Sequence, residues 1–214
     1  MIVALLGAES TGKTDLALGL ADRARALGLR AHAVQEYLRE FCDRQGRTPR
    51  PEEQGHIAEE QTRRILAAAT AHELVFADTT AVMTAVYSDL LFDDPTLYDS
   101  AFEAHRRCSL TLVTGLDLPW TPDGIQRDGP HVRTPVDERL RQRLQAAGVA
   151  YSVIYGRDAQ RLEAAWRVVE TALRAKGRLT APASDAAPRL RPWCRECLVP
   201  ECEHLLLRRL TDQP

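Results

Sequence analysis

Residues 7–14, Gly-Ala-Glu-Ser-Thr-Gly-Lys-Thr, constrain the fold of this chain more than any other segment. They match the pattern G-x-x-x-x-G-K-[ST] at every defined position. The apolar run 2–6 before them is typical of a buried strand, and apolar residues at helical spacing follow from Lys13 to Leu27. A glycine turn between a strand and a helix points backbone N–H groups and the positive end of the helix dipole at phosphate oxygens. The segment therefore predicts a phosphate-binding loop.

We expect this loop to bind ATP and two of its side chains to act directly. The Lys13 ammonium would reach the β- and γ-phosphates, and the Thr14 hydroxyl would ligate Mg²⁺. Lys13 carries extra weight because the chain has 28 Lys+Arg residues, yet lysine occurs only here and at position 176. The predicted ATP-binding residues of the loop are Gly7, Ala8, Glu9, Ser10, Thr11, Gly12, Lys13 and Thr14.

Asp78 is the predicted acidic partner of the loop. It follows an apolar strand predicted at 74–77, and the carboxyl ends of parallel strands meet at one edge of a sheet. Its carboxylate would hold Mg²⁺ there, directly or through water. The alternative is an aspartate that caps the next helix, since Thr79 and Thr80 follow it.

Strand patterns alternate with helical patterns through the first 178 residues. Further strands are predicted at 30–34, 74–77, 110–113 and 151–155, and helices at 52–70, from about 135, and at 157–176. This alternation predicts an α/β domain at 1–178, with a parallel sheet of about five strands and helices on both faces. Residues 179–190 are predicted to be a linker, and 191–214 a cysteine-rich tail.

Composition excludes several classes of protein. Hydrophobic residues make up 44% of the chain and charged residues 27%, which is typical of a globular domain. No apolar run approaches the roughly 20 residues that a membrane-spanning helix needs, and the amino terminus lacks the features of a signal peptide. The net charge of −2 argues against nucleic acid as a partner. We expect a cytoplasmic protein with no membrane partner.

Four segments, in order along the chain, resemble the ribosylnicotinamide kinase domain, which also forms one half of the bifunctional NAD-salvage regulators. They are residues 7–14, then Glu-Tyr-Leu-Arg-Glu at 36–40, Ala-Asp-Thr-Thr at 77–80, and Pro-Trp-Thr-Pro-Asp-Gly-Ile-Gln-Arg at 119–127. The resemblance runs from about residue 1 to about residue 176. It implies a P-loop kinase fold, ATP with Mg²⁺, and phosphorylation of the 5′-hydroxyl of nicotinamide riboside to nicotinamide mononucleotide. Because no H-x-G-H signature is present, we expect no adenylyltransferase half.

The segment 36–40 would serve the phosphoryl acceptor. Glu36 follows the second predicted strand, so its carboxylate would face the γ-phosphate and act as the catalytic base for the acceptor hydroxyl. Tyr37 would offer an aromatic face and a phenol to a nucleoside, and Arg39 would steady phosphate or pair with Glu40. The alternative is an ordinary charged helix start, with Arg39 and Glu40 in solvent.

Residues 115–133 lie where P-loop kinases commonly carry a lid. Arg127, as a catalytic residue, and Arg133, as an ATP ligand, would neutralise charge on the transferred phosphoryl group while the lid excludes water. Trp120 would stack on a pyridinium ring, and Asp123 would bind ribose hydroxyls or help to hold the metal. The alternative is a loop whose tryptophan packs on the domain edge and whose arginines are solvated.

Arg161 follows the fifth predicted strand, in the region where P-loop kinases often hold the adenine base. Its side chain could stack on that base or could be an ordinary exposed arginine of a surface helix. We favour the exposed arginine.

The carboxyl-terminal tail brings together Cys194, Cys197, Cys202 and His204 within eleven residues. Thiolates and an imidazole at this spacing predict a structural Zn²⁺ site, because four protein ligands fill a tetrahedral shell. A short tail without an apolar core would gain its fold from such a site. The alternative is a mobile tail with reduced thiols.

Two functions from different classes follow from these features. The favoured one is a kinase that transfers phosphate from ATP to the hydroxyl of a small nucleoside-like acceptor, with nicotinamide riboside as the expected substrate. The alternative is a nucleotide-switched P-loop ATPase whose zinc tail binds nucleic acid or a protein partner. The kinase hypothesis also accounts for Glu36 and for the lid, which a switch does not need. The sequence does not indicate an oligomeric state.

Overall fold

The computed structural model describes residues 1–121 and 129–179 of the chain. Five parallel strands form one sheet in the order β2-β3-β1-β4-β5. The strands are β1 (Ile2–Leu6), β2 (Ala31–Val34), β3 (Leu74–Asp78), β4 (Leu110–Thr114) and β5 (Ser152–Ile154). The predicted parallel α/β sheet is therefore confirmed, and each predicted strand lies within two residues of its observed bounds.

Seven α-helices occur in the described part of the chain. They are α1 (Lys13–Ala26), α2 (Tyr37–Gln45), α3 (Gln54–Ala71), α4 (Ala81–Phe92), α5 (Tyr98–His105), α6 (Arg133–Ala146) and α7 (Asp158–Ala175). The sequence patterns did not predict α4 or α5, and a helix at the position of α2 was only the alternative interpretation of residues 36–40. Most residues of α4 are buried, so it lacks the alternation of polar and apolar faces that marks a surface helix.

Alternate residues of β1 face opposite layers of helices. Val3 and Leu5 pack in the core cluster formed with α1 and α7, whereas Leu6 packs in the cluster formed with α4, α5 and α6. All five residues of β1 are buried, because helices cover both faces of the sheet. This explains why the first strand is a continuous apolar run rather than an alternating one.

The order of the strands places the candidate site. β1 lies at the centre of the sheet, with β3 on one side and β4 on the other. The register pairs Leu5 with Asp78 and Leu6 with Val113, so the ends of these three strands lie side by side. Ligands of open α/β sheets bind beyond such carboxyl ends, where the strand order reverses. The loops after β1, β3 and β4 therefore meet at the edge of the sheet where a ligand can bind.

Several predictions fall on residues outside the described ranges. Asp123, Arg127, residues 180–190 of the predicted linker and the whole cysteine tail are among them. Within residues 1–121 and 129–179, no helix has the length and apolar character that crossing a membrane requires.

Candidate active site

Two glycines shape the loop between β1 and α1. Gly7 has a φ of 146°, and a Cβ atom on it would lie 2.2 Å from Oγ1 of Thr114 on β4. Gly12 has a φ of 71° and is the residue that precedes α1. Between them, the buried Thr11 hydroxyl donates to the Ala8 carbonyl at 2.8 Å and lies 2.7 Å from the Thr114 hydroxyl. Larger residues at both glycine positions would strain or displace the loop.

Lys13, Thr14 and Asp78 meet at the mouth of this loop. The Lys13 ammonium donates to the Ala8 carbonyl at 2.9 Å, which folds the side chain back over the loop. The Thr14 hydroxyl donates to Oδ2 of Asp78 at 2.6 Å, although the two residues are 64 positions apart. The sequence hypothesis that joined Thr14 and Asp78 at one sheet edge therefore agrees with their positions.

The Thr14–Asp78 pair fits a magnesium ion that arrives with a nucleotide. Oδ1 of Asp78 is buried and has no hydrogen-bond partner in the described part of the chain. Hydroxyl and carboxylate oxygens are hard ligands of the kind that Mg²⁺ prefers, and Mg²⁺ usually takes its other ligands from phosphate and water. Two protein oxygens beside a phosphate loop are thus a sufficient protein contribution.

Glu36 lies beside this group, just before α2. Burial raises the pKa of its carboxyl group, the neighbouring Asp78 raises it further, and Lys13 and Arg39 lower it. A partly buried carboxyl group with a raised pKa, held near two cations and one carboxylate, can exchange a proton more readily near neutral pH than an exposed one. Its position beside the phosphate loop suits it to a hydroxyl that attacks the γ-phosphate.

A cavity of about 550 Å³ is lined by these residues and by a second set from the end of β2, from α2, from the chain that leads into α3 and from α4. The phosphate loop, Asp78 and Glu36 form the first set. The second set consists of Gln35, Leu38, Arg39, Cys42, Thr48, Pro49, Gln54, Met83, Thr84, Tyr87, Leu91 and Phe92. The mixture of apolar, aromatic and uncharged polar groups suits a small ligand with a flat ring. The structure thus brings Lys13, Thr14, Glu36, Arg39 and Asp78 to one cavity.

Tyr37 points elsewhere. Its side chain is buried with Phe41 and Ile57 between α2 and α3, and it is absent from the described lining of the cavity. Arg44 donates to its phenol oxygen at 2.8 Å, and the Arg64 guanidinium lies 4.4 Å from the centre of its ring. The geometry therefore gives Tyr37 a packing role under α2.

Arg133 donates hydrogen bonds to the chain that follows β4. It begins α6 and is buried, and it donates to the carbonyls of Leu118 at 2.8 Å and Leu116 at 3.4 Å. These contacts tie α6 to the chain that leaves β4. Such a position holds the beginning of the lid segment against α6.

Trp120 and Thr121 contact the phosphate loop itself. The Trp120 indole N–H donates to Oε1 of Glu9 at 2.8 Å, and the backbone N–H of Gly129 donates to the same oxygen at 3.2 Å. The backbone N–H of Thr121 donates to the Ser10 hydroxyl at 2.8 Å. Two variable positions of the loop motif thus anchor both described ends of the lid segment. Trp120 is not one of the described residues that line the cavity.

The expectation of an exposed Arg161 is wrong. The side chain of Arg161 is 4% exposed and forms an ion pair with Asp117 at 3.0 Å. Its guanidinium also donates to the carbonyls of Thr11 at 3.0 Å, Gly115 at 3.2 Å and Gly156 at 2.8 Å. It therefore connects the phosphate loop to the ends of β4 and β5. Since these contacts come from distant parts of the chain, a helical pattern around Arg161 could not indicate them.

Comparison with known proteins places the chain in a family. Residues 2–161 match the family described as AAA domain. The chain belongs to this family. Its AAA domain covers every strand of the sheet and the whole phosphate-binding site described above. No match was found among the curated proteins.

Solved structures similar to this AAA domain include two of NadR protein. The structure in complex with NR matches with a TM-score of 0.64 and 22% identity, over 86% of this chain and 52% of that chain. The structure in complex with NAD and AMP-PNP matches with a TM-score of 0.61 and 21% identity, over 86% and 51%. This chain thus spans about half the length of the NadR chains. These matches confirm the fold that the resemblance to ribosylnicotinamide kinase domains implied.

A third similar structure is a deoxyadenosine kinase from M. mycoides with the products dCMP and a flexible dCDP bound. It matches with a TM-score of 0.50 and 14% identity, over 80% of this chain and 100% of that chain. At such identity the likeness concerns the fold, which is that of a P-loop kinase.

Proposed function

We propose that this AAA domain is a kinase that transfers the γ-phosphoryl group of ATP to the hydroxyl of a nucleoside-like acceptor, with nicotinamide riboside as the substrate. The observation that supports it most directly is the shared cavity, which joins a complete phosphate loop to a pocket for a second ligand. A nucleotide switch needs only the first half of that cavity. The NadR structure with NR supports the choice of acceptor.

Each residue of the site has a role in this reaction. The backbone N–H groups of residues 7–14 and the Lys13 ammonium bind the phosphates and neutralise their charge. Glu36 orients the acceptor hydroxyl and takes its proton as the bond to phosphorus forms. Arg39 lies in the same cavity and steadies phosphate.

Thr14 and Asp78 would hold Mg²⁺. When bound, the ion would supply positive charge that offsets the negative charge of the transferred phosphoryl group. The chain's own contribution is to fix two oxygens 2.6 Å apart before any ligand binds. Within the described residues, Oδ1 of Asp78 has no protein partner and is available to a metal or to its water.

The lid segment completes the proposed site. Arg127 and Asp123 lie outside the described residues, and their roles as phosphoryl and ribose ligands remain part of the proposal. Trp120 remains a proposed ring-stacking residue, which would require it to leave the Glu9 carboxylate when the acceptor binds. Arg133 is best assigned to holding the lid segment, given its contacts with residues 116 and 118.

The proposal is tested by ATP consumption with and without nicotinamide riboside, with formation of nicotinamide mononucleotide as the readout. We expect turnover that depends on the acceptor. Lys13→Ala should abolish it while the protein stays folded, because the lysine charge serves phosphate rather than the core. Slow ATP hydrolysis that no nucleoside accelerates would contradict the proposal and favour a nucleotide switch.

A further inference from the structure

Helix α3 buries two glutamines whose surroundings differ. Gln61 is 2% exposed, and protein groups satisfy its amide. Its oxygen accepts from the Tyr37 backbone N–H at 2.7 Å, and its nitrogen lies 3.2 Å from the Thr79 carbonyl and 3.4 Å from the Asp78 carbonyl. Gln61 therefore has the contacts expected of a buried amide with a structural role, because protein groups bind both its oxygen and its nitrogen.

Gln54 begins the same helix and is 4% exposed. Gln54 lines the cavity, and within residues 1–121 and 129–179 its side-chain amide makes no hydrogen bond to a protein group. Its amide atoms are not among the fully buried polar atoms that lack a partner, so they are accessible from the cavity. Amide groups are seldom left without hydrogen bonds, so water or a ligand in the cavity completes those of Gln54.

The groups that line the cavity with Gln54 indicate which kind of ligand group can bind its amide. The hydroxyl of Thr84 on α4 also lines the cavity and lacks a hydrogen-bond partner in the described chain. Leu38, Met83 and Phe92 supply apolar and aromatic walls. An amide offers a donor beside an acceptor in one plane, and it pairs best with a flat, uncharged group that offers an acceptor beside a donor.

We infer that Gln54 is the specificity-determining residue for the acceptor, and that it pairs with a planar, uncharged donor–acceptor group on the acceptor's ring. This rests on the proposed function, which it extends from a hydroxyl acceptor to the ring that carries it. Two sources supply this chemistry: the primary carboxamide of a nicotinamide ring, or the edge of a purine or pyrimidine base. A carboxylate in the same place offers no donor, so the site rejects it.

The test compares acceptors that differ only in this group. Nicotinamide riboside, nicotinic acid riboside and the riboside of unsubstituted pyridine are assayed beside adenosine and cytidine, with the wild-type protein and with Gln54→Leu. We expect Gln54→Leu to lower kcat/KM by about 10- to 100-fold for the acceptor that carries the matching group, mainly through KM. For pyridine riboside, the change should stay under about 3-fold.

Two further variants separate recognition from folding. Gln61→Leu removes an amide that protein groups satisfy and should lower the thermal midpoint, whereas Gln54→Leu should leave it unchanged or raise it slightly. Gln45→Leu, an exposed position on α2, is the matched control and should change neither stability nor kinetics. If Gln54→Leu lowers the midpoint as Gln61→Leu does, or lowers kcat/KM equally for every acceptor, the inference is overturned.

The arms of the experiment distinguish this inference from the proposed function. If Gln54→Leu lowers kcat/KM selectively for nicotinamide riboside, the carboxamide is the group that Gln54 binds. If it lowers kcat/KM selectively for adenosine or cytidine, that group is the edge of a base. If the wild-type protein phosphorylates none of the five acceptors, the proposed function fails, and the same series is measured as dissociation constants by calorimetry. Selective weakening by Gln54→Leu then still supports the inference. Absence of binding of all five compounds to the wild-type protein overturns it.

Discussion

Glu36 shows how one side chain can be held between opposing influences. Burial and the nearby Asp78 carboxylate raise the pKa of its carboxyl group, while Lys13 and Arg39 lower it. A fully exposed glutamate would have no such balance and would be a weak base at neutral pH. The charges that surround Glu36 belong to the phosphate loop and α2, so its proton affinity depends on the nucleotide site beside it.

Replacing Glu36 by Gln should lower kcat by about 10²- to 10⁴-fold, the usual contribution of a positioned proton acceptor. ATP binding should be largely kept, because the phosphates are held by the loop and by Lys13. Steady-state kinetics and nucleotide titration measure the two effects separately.

Glu59→Gln is the matched control for this substitution, since Glu59 is exposed on α3 and lies outside the cavity lining. It should behave as wild type. An unchanged kcat in Glu36→Gln would move the base to another carboxylate of the site, with Asp78 the next candidate.

At the scale of elements, Arg161 connects the phosphate loop with the segments that follow β4 and β5. From the first turns of α7 its guanidinium reaches the phosphate loop and the segments after β4 and β5. These three loops meet at the carboxyl edge of the sheet, where the strands end. A buried cation with several carbonyl acceptors and the Asp117 carboxylate can hold them in one arrangement.

Arg161→Leu should lower the free energy of unfolding by about 3 kcal/mol, because Asp117 and three carbonyls lose a buried partner. It should also raise the KM for ATP, since the phosphate loop loses the support of the Thr11 carbonyl. Denaturant titration and kinetics measure the two effects. Arg157→Leu, an exposed position just before α7, is the control and should change neither. A folded Arg161→Leu with wild-type KM would show that the connection does not position the loop.

His105 connects a second group of elements, α5, β4 and the start of α4. One ring nitrogen lies 2.9 Å from the Thr111 hydroxyl and the other 3.4 Å from that of Thr80, which caps α4. Burial lowers the pKa of the imidazole to about 4. The folded protein therefore keeps His105 neutral at pH values where an unfolded chain would protonate it.

This difference predicts how stability depends on pH. Below the ordinary histidine pKa of 6.5, the unfolded chain binds a proton that the folded chain does not, so the free energy of unfolding falls as pH falls. The contribution of His105 between pH 7.5 and pH 5 should be about 2 kcal/mol. Denaturant titrations at the two pH values should show a smaller difference for His105→Gln than for wild type. His131→Gln, at an exposed position, should match wild type; equal pH dependence in all three proteins would contradict the prediction.

At the scale of the whole molecule, the AAA domain and the cysteine tail rest on different evidence. The family match ends at residue 161, and the phosphate loop, the cavity and the sheet lie within the described residues. Cys194, Cys197, Cys202 and His204 lie outside them, so their zinc site remains a prediction from spacing alone. Four protein ligands would leave no coordination position for a substrate.

Purified protein, isolated without chelator, should contain about one zinc ion per chain. Elemental analysis measures it, and the variant Cys194→Ser with Cys197→Ser should lose the metal. Protein without zinc, iron or another transition metal would refute the site.

Removal of residues 190–214 should lower stability or solubility far more than it changes kcat for a small acceptor, because a zinc ion held by four protein ligands leaves no coordination position for a substrate. Thermal unfolding and kinetics of the shortened chain test this. A shortened chain that folds and binds ATP yet has no kinase activity would show that the tail takes part in catalysis.

The sequence by itself determined the position of the phosphate loop, the five parallel strands, and the meeting of Thr14 with Asp78 at one sheet edge. These features follow from local patterns: an apolar run sets a buried strand, glycines set a turn, and parallel strands place their carboxyl ends together. Such patterns involve residues close together in the chain, and they are legible without knowledge of the fold.

Only the tertiary structure decided which polar side chains are buried and what they meet. Arg161 contacts a carbonyl 150 positions away in the chain. The two glutamines of α3 are both buried, yet protein groups bind the amide of Gln61 and, among the described residues, none binds that of Gln54. Tyr37, predicted at a ligand, packs under α2, because the direction of a side chain depends on how helices are oriented against the sheet. Partners that come from distant elements leave no periodic signal, since their spacing is set by packing rather than by the chain.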